Sequence, residues 1–328
     1  MSRVLVTGGS GFIGTNLVEA YRSRGDSVLS LDIDSPRTSA HRAVWSQVDL
    51  LDVAALERAV RDFAPDLVFH MGARTDLRGE TPSEYRTNTT GVENVVRILK
   101  DQPGLRLAVF ASSMLVCRIG YRPRDEFDYC PSTAYGHSKV EGERIVREGA
   151  AQHFPWVIVR PTSIWGPWFR SPYRDFFTAV RRGVYVHPRH HRVRRSYGFV
   201  FNTVVQLMRL AELGGDGLLG RTCYLADYEP IELKRWADGI QQEFAARKVR
   251  EVPLWMLRAA ARTGDALERL NLLSSPPITS FRLNNLLTEM IHDTEPLHAV
   301  CGETPYSMED GIRLTVDWMR KHPDSGGD

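Results

Sequence analysis

The stretch VLVTGGSGFIG, Val4 to Gly14, constrains the fold more than any other part of the sequence. A β-branched run passes into a glycine-rich turn and then into an amphipathic stretch, so a buried strand hands the chain to a helix within a few residues. Similar apolar runs recur at Val28 to Leu31, Leu67 to His70, Leu107 to Ala111 and Trp156 to Arg160. Between them Leu56, Ala59, Val60 and Phe63, and later Val92, Val95, Val96 and Leu99, fall at helical spacing. Gly25 reads as a helix stop. Strands alternating with helices in this way predict an α/β fold built on a doubly wound parallel sheet, its strands buried on both faces.

After Gly166 the texture changes to aromatics, prolines and arginines as far as Arg195, where loops and short elements are expected. A strand and helix return at Tyr197 to Leu213, and another strand at Thr222 to Ala226. Helical patterns follow at Leu233 to Ala245 and Leu254 to Leu270, then the loop Ser274 to Pro277. A final helix begins near Ser307, a capping hydroxyl, with Ile312, Thr315, Val316 and Met319 on its buried face. Residues 1–166 and 197–226 thus read as one domain, 167–196 and 227–322 as a smaller, mainly helical one, and 323–328 as a disordered tail.

With 42 basic against 40 acidic residues, the charge gives no footprint for nucleic acid. No apolar run is long enough to span a bilayer. The start MSRVLVTGG lacks the pattern of a secretory signal, so cytoplasm is the expected location. Cys117, Cys130, Cys223 and Cys301 form no CxxC pair, which argues for a reducing compartment and against a zinc site or disulfide framework. His187, His190 and His191 lack a companion acidic or cysteine cluster, so no metal is expected.

TGGSGFIG sits where a dinucleotide loop belongs, after a strand and opening a helix. Gly8 and Gly11 let the backbone turn toward a pyrophosphate, Phe12 and Ile13 open the helix whose amides would receive it, and Gly14 permits close helix–strand packing. Taken alone, the motif is equally an ordinary turn. Asp32, at the end of the second strand, supplies the carboxylate that accepts hydrogen bonds from ribose hydroxyls and repels a 2′-phosphate. NAD is therefore favoured over NADP, although Arg37 nearby works the other way.

Tyr135 and Lys139 lie four apart behind Ser132 or Thr133, either a helix cap, and so share one helical face. A phenol is a poor base at neutral pH unless cationic charge stabilises its phenolate, a field expected from Lys139 and a nicotinamide. Ser113, following an apolar strand, is placed to share a substrate proton with Tyr135. Singly, these residues are ordinary surface-helix and strand-end residues. In this order, behind a dinucleotide loop, they read as a catalytic set.

TGGSGFIG, Asp32, VDLLD, FHMGA, Asn88 with Gly91 and Asn94, FASSMLV, YGHSK and RPTSIWGP together resemble the extended short-chain dehydrogenase/reductase family. RRSYGFV and TPYSMEDGIRLTVDW resemble its sugar-nucleotide branch, which includes UDP-galactose 4-epimerase. The resemblance implies a Rossmann fold with a substrate domain, NAD held by Gly8, Gly11, Phe12, Ile13, Gly14 and Asp32, and a nucleotide-diphosphate sugar as substrate. It further implies that Asp49 and Leu50 flank the adenine, that Met71, Gly72 and Ala73 line the cofactor channel, and that Asn88 supports the helix carrying Tyr135. Pro161 would lie against the nicotinamide. Ser163 and Arg195 would meet the substrate, with Arg282 a second arginine for its diphosphate. A homodimer through the helices at Val92 to Leu99 and Tyr135 to Val146 is also implied.

Departures from the family pattern narrow the chemistry. Met114 and Leu115 stand where 4,6-dehydratases carry an acidic pair, so dehydration is disfavoured. Ser163 replaces a common asparagine, Phe201 a common aspartate, and Cys117 a common tyrosine. The leading expectation is an NAD-dependent nucleotide-sugar epimerase acting at C4 through a transient ketone. The alternatives are a keto-sugar-nucleotide reductase using NAD(P)H, and a non-catalytic dinucleotide-sensing protein, which would not need Ser113, Tyr135 and Lys139.

Overall fold

The computed structural model describes residues 1–270, 272, 276 and 278–323. Ser274, Ser275, Pro277 and the tail 324–328 lie outside the described residues. Six strands, β1 (Arg3–Thr7), β2 (Ser27–Asp32), β3 (Trp45–Gln47), β4 (Leu67–His70), β5 (Leu107–Ala111) and β6 (Trp156–Pro161), join the strand Thr222–Leu225 in a seven-stranded sheet. Its order is Thr222–Leu225, β6, β5, β4, β1, β2, β3, and every pairing is parallel. The order reverses at β1, so the crevice beyond its carboxyl end is where a doubly wound sheet receives ligand. This is a Rossmann fold.

Helices cover both faces because the strands carry apolar side chains on both. On one face α1 (Phe12–Ser23) and the helix Val200–Glu212 bury Leu17, Val18, Leu207 and Leu210 against Val4, Val6 and Phe69. On the other, α2 (Val53–Phe63), α3 (Thr90–Leu99) and α4 (Ala134–Ala150) bury Leu56, Val92, Val96 and Val146 against Leu5, Val68 and Ala108. The strand β3 was not apparent from sequence: its Trp45, Ser46 and Gln47 are half-buried or exposed at the sheet edge and carry no apolar signal.

Two compact units result. The first comprises Met1–Trp168, Tyr197–Tyr228 and His292–Tyr306. Its last segment differs from the sequence reading, which assigned 227–322 to the second domain. The helix Glu295–Cys301 instead puts Leu297 and Cys301 into the sheet's apolar layer, and Arg209 donates to the Cys301 carbonyl at 2.7 Å. The second unit comprises Phe169–Ser196, Glu229–Ile291 and Ser307–Asp328. It is mainly helical, with Phe176 stacked on Trp236 at 4.8 Å and Phe177 edge-on to the same indole. Ser307 caps its last helix, Met308–Lys321, accepting the Asp310 amide at 3.1 Å. No described helix is long and apolar enough to cross a membrane.

A buried ion pair joins the sheet to α4. Arg160 donates through Nε and Nη2 to the two carboxylate oxygens of Glu143, each at 2.8 Å, and both side chains are 1% exposed. Ser112 and Tyr129 donate to the same carboxylate at 2.6 and 2.8 Å. Removing one member leaves a desolvated charge, so Glu143→Gln is expected to lower stability by about 3–5 kcal/mol. Chemical denaturation will measure this. A Glu143→Leu/Arg160→Met double variant should lose less than the two single substitutions added together.

Candidate active site

The cofactor end is built from backbone. Gly8 has φ +70, and a Cβ on Gly14 would lie 2.1 Å from the Gly8 carbonyl oxygen, so the loop folds tightly only without side chains there. Gly11 caps α1 without a side-chain hydrogen bond, leaving the first-turn amides of Phe12 and Ile13 at an uncapped, electropositive helix end. Asp32 accepts the Ser10 amide at 2.9 Å on one oxygen and the Asp34 amide at 3.1 Å on the other, which leaves lone pairs for two hydroxyls. Burial pushes its carboxyl above the usual range, opposed by those backbone bonds. Arg37 turns its Nε to the Ser10 carbonyl at 2.7 Å and its Nη1 to the Trp168 carbonyl. These features fit a dinucleotide with a free ribose 2′-hydroxyl.

The neighbouring predicted positions occupy the same sheet end. Met71, Gly72 and Ala73 follow β4, and the Gly72 amide meets Thr7 Oγ1 at 3.3 Å. Leu50 is buried, its carbonyl held by Asn94 at 2.9 Å, whereas Asp49 is exposed and accepts the Leu51 amide. Pro161 closes β6.

The reactive end depends on two segments coming unusually close. Thr133 caps α4, accepting the Gly136 amide at 3.0 Å, and a Cβ on Gly136 would stand 2.3 Å from the Leu115 carbonyl oxygen. Glycine is thus required where α4 meets the chain just beyond Ser113. Ser113 and Tyr135, both buried, are thereby brought near enough for the Ser113 hydroxyl to bear on the ionisation of the phenol. Lys139, one turn on, donates to the Ala111 carbonyl at 2.9 Å. Asn88 braces this helix: its Nδ2 donates to Ser138 Oγ and to the Arg74 carbonyl, each at 3.0 Å, and its Oδ1 accepts the Arg74 amide.

The electrostatics of the free protein leave the phenol uncharged. Burial pushes the Tyr135 phenol up to about 12, the Ser113 hydroxyl opposing it, and pushes the Lys139 ammonium down to about 8, with Glu143 opposing. In the free protein the desolvation of Tyr135 outweighs any field from Lys139. The phenol therefore stays protonated at neutral pH, and a further positive charge beside it is needed to make a base.

Three residues near the site went unread in the sequence. Arg160 and Glu143 form the pair described above. His70, 2% exposed, bonds Thr7 Oγ1 through Nδ1 at 2.9 Å, and its Nε2 has no partner among the described residues. With Lys139, Asn88 and Glu143 it lines a cavity of about 10 Å³, room for about one water. Only the apolar run before His70 was legible.

The positions expected to meet substrate fall in different units. In the first, Ser163 is buried in the strand Ser163–Trp165, which pairs with Tyr197–Phe199. In the second, Arg195 donates through Nη2 to the carbonyls of Asn285 and Thr288, and its Nε has no partner among the described residues. Arg282 donates to the Pro276 carbonyl at 2.5 Å. His187 bonds the Tyr185 hydroxyl at 2.9 Å and the His191 carbonyl at 3.0 Å, an internal structural role.

The sequence model of the NAD dependent epimerase/dehydratase family matches residues 4–208. The chain belongs to that family. It is an NAD-dependent enzyme of the extended short-chain dehydrogenase/reductase type. A 4-hydroxy-2-methyl-3-oxo-4-farnesyl-3,4-dihydroquinoline-1-oxide ketoreductase of Stigmatella aurantiaca is 29% identical over 81% of this chain and 81% of its own. A 2-alkyl-3-oxoalkanoate reductase of Stenotrophomonas maltophilia is 26% identical over 95% and 97%. The structure of a Thermotoga maritima UDP-glucose 4-epimerase with UDP-glucose superposes with a TM-score of 0.74 at 20% identity, covering 98% of this chain and 99% of that one. The proteins this chain is similar to thus include both reductases and an epimerase.

If Tyr135 and Lys139 act together, Tyr135→Phe should lower turnover by about 10²–10⁴-fold while leaving cofactor binding intact. The pH profile follows from Lys139. Its folded-state pKa is depressed, so the ammonium is present below about 8 and lost above it. Accordingly, kcat/KM should fall on the alkaline side with an apparent pKa near 8, read from initial rates at fixed ionic strength.

Proposed function

We propose that the protein is a nucleotide-sugar epimerase, acting at C4 of the sugar through a transient ketone. The observation that carries this reading is the Ser113–Tyr135–Lys139 arrangement at the carboxyl end of the sheet, with Met114 and Leu115 beside it. Bound NAD supplies the hydride acceptor and donor. Gly8, Gly11, Phe12, Ile13 and Gly14 would hold its pyrophosphate and Asp32 its ribose, with Asp49, Leu50, Met71, Gly72, Ala73 and Pro161 along its length. Ser113 and Tyr135 share the proton of the substrate hydroxyl, and Lys139 contributes positive charge that favours its removal. Asn88 keeps Tyr135 in register by holding Ser138. No acid at positions 114 or 115 can protonate a leaving hydroxyl, so the ketone is not diverted to dehydration.

The second unit is assigned the substrate's nucleotide end. Arg195 supports this: its guanidinium is steadied by two backbone carbonyls, and Nε remains for a phosphate oxygen. Ser163 and Arg282 are proposed as further contacts, and a homodimer through α3 and α4 as the assembly.

A second reading, one-way reduction of a ketone with NADH released each turnover, is favoured by the two reductases that match most of this chain. One experiment separates them. The purified protein is offered UDP-sugars without added cofactor and, separately, keto substrates with NADH, and the products are followed by NMR. Epimer interconversion without net cofactor consumption supports the epimerase; stoichiometric loss of NADH with no interconversion establishes the reductase. Arg195→Lys should raise KM for a nucleotide-sugar roughly tenfold or more, since an ammonium cannot reproduce the fork. Direct titration should show tighter binding of NAD than of NADP, and Asp32→Ala should narrow that difference.

A further inference from the structure

The four cysteines fall into unlike environments. Cys223 and Cys301 lie in the apolar layer of the sheet, where burial pushes both thiols up, that of Cys301 to about 11. Cys117 and Cys130 instead meet across a short backbone pairing, although burial pushes the Cys117 thiol up as well. They are register partners in an isolated parallel bridge, fixed by the Cys130 amide on the Val116 carbonyl at 3.0 Å and the Arg118 amide on the Cys130 carbonyl at 2.7 Å. Residues so paired have Cα atoms about 4.8 Å apart and project their side chains to the same side. That separation lies inside the range of about 4.4–6.8 Å that a disulfide spans. The two side chains share a small apolar cluster with Val116 and Val140, and both are free thiols. Cys117 is buried, its thiol donating to the Asp128 carbonyl at 3.3 Å, whereas Cys130 is partly exposed.

The position is unusual for an inert pair. Cys117 immediately follows the turn Met114–Val116 that Ser113 caps, and Cys130 precedes the Thr133 cap of α4 by three residues. The bridge between them is therefore the backbone tie, nearest in sequence, between the segment bearing Ser113 and the helix bearing Tyr135.

We propose that Cys117 and Cys130 form a dithiol site that small-molecule disulfides oxidise to an intramolecular disulfide, locking the Ser113 segment to the start of α4. The exposed Cys130 thiolate attacks one sulfur of the small disulfide, forming a mixed disulfide and releasing one thiolate. Cys117, deprotonated, then attacks the Cys130 sulfur and releases the second thiolate. The two protein thiols lose two electrons and two protons, and the small disulfide gains both to become two thiols.

The test uses the reduced full-length chain under native conditions with oxidised glutathione as the probe. Intact mass should fall by two hydrogens, and peptide mapping should yield one linked pair containing Cys117 and Cys130. Cys130→Ser should abolish the link, and Cys117→Ser should trap glutathione on Cys130. Backbone hydrogen exchange between residues 113 and 135 should be slower in the oxidised protein and recover on reduction. A stable glutathione adduct on the unsubstituted chain, a link between Cys223 and Cys301 instead, or no reaction would overturn the site. Formation of the link with unchanged exchange would overturn the lock.

Discussion

Everything at the reactive end depends on the Glu143 carboxylate, buried one turn below Lys139. It receives Arg160 from β6, Ser112 from the end of β5 and Tyr129 from the loop ahead of α4, so three separate stretches of chain converge on one charged group. In a low-dielectric interior such a group is tolerated only when every lone pair is met, and the requirement is geometric as much as energetic. It fixes the rotation of α4 about its own axis. With that rotation fixed, Lys139 reaches the Ala111 carbonyl and Tyr135 lies near Ser113.

The second constraint is steric. The backbone of α4 passes so near Leu115 and Asn88 that glycine is needed at both crossings, with a Cβ on Gly136 2.3 Å from one carbonyl oxygen and a Cβ on Gly142 2.8 Å from the other. Together the ion pair and the close approach press a tyrosine and a lysine into a dry pocket. Dryness has a chemical cost, since it raises Tyr135 and depresses Lys139, and the bare protein therefore holds the pair in its uncharged-phenol state. In the proposed mechanism Tyr135 would need a further positive charge beside it to accept a proton, which a bound oxidised nicotinamide would supply.

The sequence displayed what is local and periodic. The glycine loop, Asp32, the strands flanking Gly14 to His70, and the four-residue spacing of Tyr135 and Lys139 are all written within single elements, and the cap on Thr133 is a one-turn feature. What escaped notice is what two distant segments make together. Arg160 reads as the polar end of a strand and Glu143 as one more charge on an amphipathic helix; nothing in either neighbourhood announces that they meet 17 positions apart in a common interior. The helix Glu295–Cys301 is a similar case: its short apolar face fits either core by pattern alone, and the packing of Leu297 and Cys301 puts it with the sheet. The pairing of Cys117 and Cys130 belongs to the same class of long-range fact.

Substrate choice rests on two unlike features of the chain. In the first unit Ser113 is followed directly by the apolar Met114 and Leu115. Apolar side chains accept a ring or a chain without distinguishing them strongly, because removing or adding a methylene in an apolar pocket changes binding by only about 1–3 kcal/mol. Polar groups discriminate far better, and the second unit contains the proposed one: Arg195, whose Nη2 donates to backbone carbonyls while its Nε has no partner among the described residues. A buried donor without a partner is costly to keep, about 1–3 kcal/mol when unmet, and that cost is recovered only by a ligand carrying an acceptor to the same place. The phosphate oxygens of the proposed nucleotide-sugar would do so, whereas an alkyl ketone would leave the donor unmet, and this asymmetry is the physical ground for proposing the nucleotide-sugar first.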